Sequence, residues 1–384
     1  MKRFILMPDY KNIKHFEGLN ALRFFAAFMV VIHHAEAVRK KNGLFNLDWL
    51  SFFKNGGNAV TFFFVLSGFL ITYLLLKEDN QTGATSIKTF YLKRTLRIWP
   101  LYFLMFFVGA LVLPIVFKFL HIGYEMPYTF SQVWYYFVFF FPGLVTFYFG
   151  HHILEPLWSI GVEEVFYLIW APMFKIFKKY ILQLLLGVIL TKMVIDLVSI
   201  YIYKDELFRY ISSILSFDAM AVGGLGAYFV FNRKKDFTNL FIYKPLIQIL
   251  IYGLLAVFLI YNINFQNQLW KTFFSKPVFS KLFLDFLFLY IIIGVSLISQ
   301  NLFSIKSKFL SYLGEISYGI YMYHMFVIYA IVLVLKPFLS LMAPLISTVV
   351  FYTILFLLVF LVSYLSKKYF EDYFLKIKAR LEKR

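Results

Sequence analysis

Apolar runs separated by short polar stretches recur along the whole chain, and the polar stretches carry most of the basic residues. At about 1.5 Å per helical residue, these runs are long enough to cross the roughly 30 Å hydrocarbon core of a bilayer. They fall at 19–38, 58–76, 98–117, 132–149, 157–174, 181–202, 210–231, 244–263, 282–299, 310–335 and 341–365. The pattern predicts an all-α fold, a polytopic integral membrane helical bundle. It would have about ten transmembrane helices plus one re-entrant or interfacial segment.

Basic clusters orient the segments. Lys88/Lys93/Arg94/Arg97, Lys175/Lys178/Lys179, Arg233/Lys234/Lys235, Lys306/Lys308 and the tail from Lys367 are expected on the cytoplasmic side, together with both termini. That orientation excludes 132–149 as a simple crossing, because the segments before and after it must leave and re-enter the cytoplasm. Its Tyr-Tyr-Phe-Val-Phe-Phe-Phe-Pro-Gly core suits a re-entrant, interfacial or broken helix. Arg39, Lys40 and Lys41 break the rule as an outer basic cluster. The domain reading is a transmembrane domain over 1–370 and a basic cytoplasmic tail over 371–384, which lies on the inner leaflet as a short amphipathic end.

Composition agrees. Of 384 residues, 61% are hydrophobic and 15% charged, and mean hydropathy is +0.75, which places the chain among membrane proteins. The polar, basic N-terminus (Lys2, Arg3, Lys11, Lys14) does not read as a cleavable signal peptide. The net charge of +18 sits mostly at helix ends, where it meets headgroups of membrane lipids, so no nucleic acid is expected as a partner. Zero cysteines exclude disulfides, thiolate metal sites and a cysteine nucleophile, and no metal is predicted. Nothing in the sequence specifies an oligomeric state.

Four groups carry candidate chemistry. In the first segment, Arg23 and His34 lie eleven positions apart, which returns almost to the same helix face about 16 Å further on. Ionisable groups at that depth are functional candidates; Asn20 sits one turn below Arg23. In the second segment, Ser67-Gly68 would let a helix or a ligand approach closely. At the start of the third, Arg94 and Arg97 share a face and could close on a polyanion, or act simply as a stop-transfer cluster. The fifth opens with Pro156-Leu-Trp158-Ser159-Ile-Gly-Val-Glu163-Glu164-Val-Phe-Tyr167, and its adjacent carboxylates point about 100° apart.

Together these residues resemble the acyltransferase-3 family of membrane O-acyltransferases, which modify cell-surface glycans. The matching features are Arg-x10-His (Arg23, His34), the run from Phe63 to Ile71, and Arg-x-x-Arg with Ile-x-Pro (Arg94, Arg97, Pro100). Trp158 to Tyr167, the Phe-Asp-Ala piece at Asp218 and Leu313 to His324 complete the set. Three positions depart from the pattern: Thr61 replaces a common acid, Val165 a common Gln, and Pro156 a common His.

The resemblance implies transfer of an acyl group, commonly acetyl, from cytoplasmic acyl-CoA (acetyl-CoA as co-substrate) to a hydroxyl of a cell-surface carbohydrate or glycolipid. It implies Arg23, Arg94 and Arg97 as holders of the CoA phosphates. It also implies His34 as general base, with Glu163 or Glu164 orienting the ring. Asn20, Ser67, Trp158, Ser159, Tyr167 and His324 are support candidates, His324 in company with Glu315 and Tyr321. The competing reading is a transporter or flippase of a lipid-linked glycan. The remaining polar groups are expected to be structural: His33 paired with Glu36, Lys192 with Asp196, and Asp285 at a helix boundary. His151, His152 and Glu155 belong to an outer loop where a metal site is conceivable.

Overall fold

A computed structural model describes residues 9–122, 125–233, 240–261, 277–298, 301–303 and 305–381. Lys2, Arg3, Lys234 and Lys235 fall outside these residues.

The described chain is helical, with no strand among the described residues. In chain order the helices are α1 Leu19–Lys41, α2 Gly56–Thr82, α3 Ile87–Phe107, α4 Leu113–Phe119, α5 Phe130–Val138, α6 Pro142–Phe149, α7 Leu157–Ile176 and α8 Ile181–Tyr201. They continue with α9 Glu206–Ile214, α10 Phe217–Phe231, α11 Pro245–Tyr261, α12 Pro277–Leu297, α13 Lys308–Glu315, α14 Ser317–Leu341, α15 Pro344–Ser366 and α16 Asp372–Leu381. Among the described residues, eight helical stretches are long and apolar enough to cross a bilayer. The other two predicted crossings correspond to α11, which is shorter, and α7, whose 20 residues are made more polar by Glu163 and Glu164. The protein is a multi-pass, all-α membrane bundle.

Several boundaries differ from the sequence reading. The third segment begins at Ile87, where the Ser86 hydroxyl accepts from Thr89 N–H as an N-cap. Arg94 and Arg97 therefore sit about two turns inside the helix rather than at its start. A π-turn at Val108–Val112 joins α3 to α4. The 132–149 segment is broken: α5 ends before Phe140, which has φ 63°, and α6 restarts at Pro142. The seventh segment divides at Leu215–Ser216, and the tenth at Ile316. The tail helix α16 packs against α3.

α2 is the central helix, packed against α1, α7, α10 and α12. Its crossing with α10 requires two glycines. A Cβ on Gly68 would fall 1.9 Å from the Met220 carbonyl oxygen, and one on Gly223 1.9 Å from that of Val65. Small residues substitute close backbone contact for the hydrophobic drive that lipid does not supply.

Three expectations about buried polar groups are corrected. Arg39 is not part of an outer basic patch: it is fully buried, 2.7 Å from Glu36 and 2.8 Å from Thr348 Oγ1, under the Phe351 and Tyr352 rings. Its partner Glu36 is therefore taken, and His33 instead meets the Phe53 carbonyl at 3.0 Å. Asp285 is no boundary residue; it lies within α12, wholly buried, with neither carboxylate oxygen hydrogen-bonded. Lys192 and Asp196 do pair, and the Ser212 hydroxyl joins them.

Candidate functional site

Five parts of the chain converge on one cavity inside the bundle. Its volume is about 130 Å3, and its polar lining includes Arg23, Ser67, Arg94, Arg97, Ser159, Glu163 and Tyr167. Each arrives for a local reason. Helical periodicity in α3 puts Arg94 and Arg97 on one face. Gly68 lets α2 sink against α10, and Ser67 beside it turns toward α7, where its hydroxyl donates to Glu163 Oε1 at 2.9 Å. Tyr167, one turn beyond Glu163, donates to Oε2 at 2.9 Å. Asn20 Oδ1 accepts from Arg23 at 3.2 Å.

Glu163 is thus fully engaged: one oxygen takes Ser67, the other Tyr167, with Arg23 and Arg94 close enough to stabilise its charge. Arg94 also lies over the Phe90 and Tyr167 rings at 5.9 and 5.7 Å. Glu164 points elsewhere, accepting from Trp99 Nε1 at 2.8 Å while its Oε1 has no hydrogen-bond partner. The adjacent carboxylates do diverge as helix geometry requires.

A second cavity of about 200 Å3 shares Arg23, Arg94, Arg97 and Leu70 with the first and opens beside Lys14, His15 and Lys77. The arginines therefore form the neck between a basic vestibule and the inner pocket.

His34 lines neither space. It meets His324 of α14, with 3.0 Å between His34 Nδ1 and His324 Nε2. The other His324 nitrogen, Nδ1, contacts the Tyr321 carbonyl. A carbonyl only accepts, so His324 carries its proton on Nδ1 and presents a lone pair at Nε2. His34 must then donate from Nδ1, which leaves its own Nε2 unprotonated; these tautomers are assigned from the hydrogen-bond network. Tyr321 ties the histidines to the pocket: it lines the pocket, its hydroxyl lies 2.8 Å from Ser159 Oγ, and its ring lies 5.7 Å from that of His324.

The structure thus gathers Arg23, Asn20, Ser67, Arg94, Arg97, Ser159, Glu163 and Tyr167 around the pocket and its neck. It pairs His34 with His324, and places neither Glu163 nor Glu164 in hydrogen-bond contact with His34. Trp158 faces a different cavity, with its ring 6.0 Å from Phe64. Glu315, expected in the company of His324, lies instead on the pocket wall with Tyr318 of the same motif. In the loop before α7, His151 pairs with Glu155 at 2.8 Å. His152 turns inward to Tyr128 and the Leu154 N–H. Among the described residues no group of three acidic, histidine or cysteine side chains is placed to hold a metal.

Residues 16–367 match the family model described as an acyltransferase domain, so the chain belongs to the acyltransferase-3 family. It is 26% identical over 340 residues to the O-acetyltransferase OatA of Staphylococcus aureus (strain NCTC 8325 / PS 47), covering 84% of this chain and 52% of that protein. It is 31% identical over 175 residues to the protein named "Putative peptidoglycan O-acetyltransferase YrhL" of Bacillus subtilis (strain 168), covering 44% and 25%. The chain therefore spans from a quarter to about half the length of these relatives. No solved structure matches.

Proposed function

We propose that this protein is a membrane O-acyltransferase that moves an acyl group, acetyl by analogy with the names of its relatives, from acyl-CoA to a hydroxyl of a cell-surface glycan. The observation that carries the reading is the neck formed by Arg23, Arg94 and Arg97 between the vestibule and the Glu163 pocket. Three guanidinium groups at one constriction fit a donor whose head is polyphosphorylated and whose reactive end must pass inward. Glu163 fixes this neck electrostatically and is itself held by Ser67 and Tyr167. The cytoplasm faces the vestibule in this account, in keeping with the lysines that surround it.

The histidine pair supplies the base. His34 Nε2 takes the proton of the acceptor hydroxyl as its oxygen attacks the thioester carbonyl. A C–O bond forms, the C–S bond breaks, and the proton on His34 passes to the departing thiolate. His324 holds the tautomer and ring orientation that keep Nε2 free, the orienting role expected of a glutamate from sequence. The test is a proteoliposome assay with radiolabelled acetyl-CoA and cell-wall polysaccharide. Label on carbohydrate supports transfer; saccharide crossing the membrane without acylation favours a flippase.

A further inference from the structure

A third cavity, of about 370 Å3, lies near the N-terminal end of α2 and is lined by Asn58, Thr61, Phe64, Trp158, Ser216 and Lys281. Twenty residues along α2 separate Gly57 on its rim from Lys77 at the arginine vestibule, about 30 Å at 1.5 Å each. The two openings are therefore at opposite ends of the bundle. Phe64 lines both this cavity and the Glu163 pocket, so the two adjoin at its ring.

From this lining we infer that the cavity is a binding site for an uncharged saccharide, the acceptor of the transfer proposed above, on which the acceptor role rests. Trp158 offers an apolar ring face of the kind that packs against the C–H face of a pyranose. Asn58 and Ser216 supply neutral groups that both donate and accept, and Thr61, whose hydroxyl donates to the Gly57 carbonyl at 3.1 Å, adds acceptor lone pairs, matching sugar hydroxyls. The size lies within the range of small-ligand pockets.

Charge selects against an acidic sugar. Lys281 lines the cavity with a quarter of its side chain exposed and is already paired with Asp218 at 3.1 Å. An ammonium has three donors, so donors remain for hydroxyl oxygens. Behind it Lys192 is paired in turn with Asp196, so both lysines of this region already have a carboxylate partner. Such a balanced pair of ion pairs accommodates a polyol without adding charge and leaves no unpartnered cation to offset a buried carboxylate. An ion pair at this depth is expensive unless employed.

The experiment uses the full chain in nanodiscs and reads direct binding of maltotetraose, cellotetraose and chitotetraose, with tetragalacturonate as the acidic probe and acetyl-CoA measured separately. At least one uncharged tetrasaccharide should bind, and at least tenfold more tightly than tetragalacturonate. Thr61→Trp, which fills the cavity without touching an ion pair, should weaken that binding at least tenfold and leave acetyl-CoA binding unchanged. Lys281→Gln should weaken it similarly; where that variant fails to fold, Thr61→Trp alone decides. Wild-type binding of none of the three at millimolar concentration, a preference for tetragalacturonate, or unchanged binding in folded Thr61→Trp would overturn the inference. Failure of acetyl-CoA to bind would sink the transferase reading while leaving the saccharide result to stand by itself.

Discussion

His34 and His324, 290 positions apart in sequence, share a 3.0 Å hydrogen bond in which His34 Nδ1 donates and His324 Nε2 accepts. The Tyr321 carbonyl behind His324 fixes the direction of this hydrogen bond and leaves His34 Nε2 unprotonated. His324 is on this account a positioning residue. His324→Leu should lower kcat by up to about 10⁴-fold with the KM for acyl-CoA unchanged, by analogy with the loss of other groups that hold a catalytic histidine in its tautomer. His324→Gln, whose amide oxygen can still accept from His34, should recover much of that loss. Equal loss in both variants, or a matching rise in KM, would reduce His324 to packing.

The arginine neck makes a donor-side prediction. Arg94→Gln and Arg97→Gln should each raise the acetyl-CoA dissociation constant about tenfold or more, since charge-assisted hydrogen bonds contribute about 1.5–3 kcal/mol. Arg94→Lys should not rescue, because an ammonium does not reproduce the planar stacking on Phe90 and Tyr167. Titration calorimetry in detergent checks this, and unchanged affinity would leave the arginines as topology anchors.

Two buried aspartates should respond oppositely to neutralisation. Asp218→Asn removes the partner of Lys281 and should destabilise by about 3–5 kcal/mol, the usual effect of orphaning a buried charge. Asp285→Asn removes a carboxylate that has no hydrogen bond and should be neutral or stabilising. Thermal unfolding in detergent separates them, and similar losses in both would contradict the pairing.

The loop before α7 carries a pH dependence. Burial holds the His152 imidazole down to about 3, whereas in the unfolded chain it titrates near 6.5. Between those values the unfolded state binds more protons, so stability rises with pH: it is complete above about 6.5 and is lost as pH falls toward 3. From pH 7.5 to 5 the loss should be about 2 kcal/mol, at 1.36 kcal/mol per unit below 6.5. His152→Gln should flatten that slope; an unaltered slope would place its origin elsewhere.

How far these features were legible in the sequence depends on the range of the interaction. Long apolar runs announced the helices, and spacing alone put Arg94 with Arg97 and sent Glu163 and Glu164 to different faces. Breaks were harder to place: the turn between α5 and α6 depends on the positive φ of Phe140, which no local signal beyond Pro142 marks. Partner choice was harder still. Periodicity gives the face of a side chain but not the helix opposite, so Arg39 read as an exposed cation and Asp285 as a boundary residue until α15, α10 and α12 were in place. His34 was found from its depth in α1 and His324 from a motif near the other end of the chain, but no local signal shows that the two meet.

The most direct test of the central claim is acyl transfer by the His34→Ala protein. Wild-type and variant, reconstituted in proteoliposomes with radiolabelled acetyl-CoA and cell-wall polysaccharide, should bind acetyl-CoA equally. The variant should transfer label to carbohydrate about 10²- to 10⁴-fold more slowly, the usual contribution of a general base. A folded His34→Ala protein that acylates the carbohydrate at the wild-type rate would contradict the account.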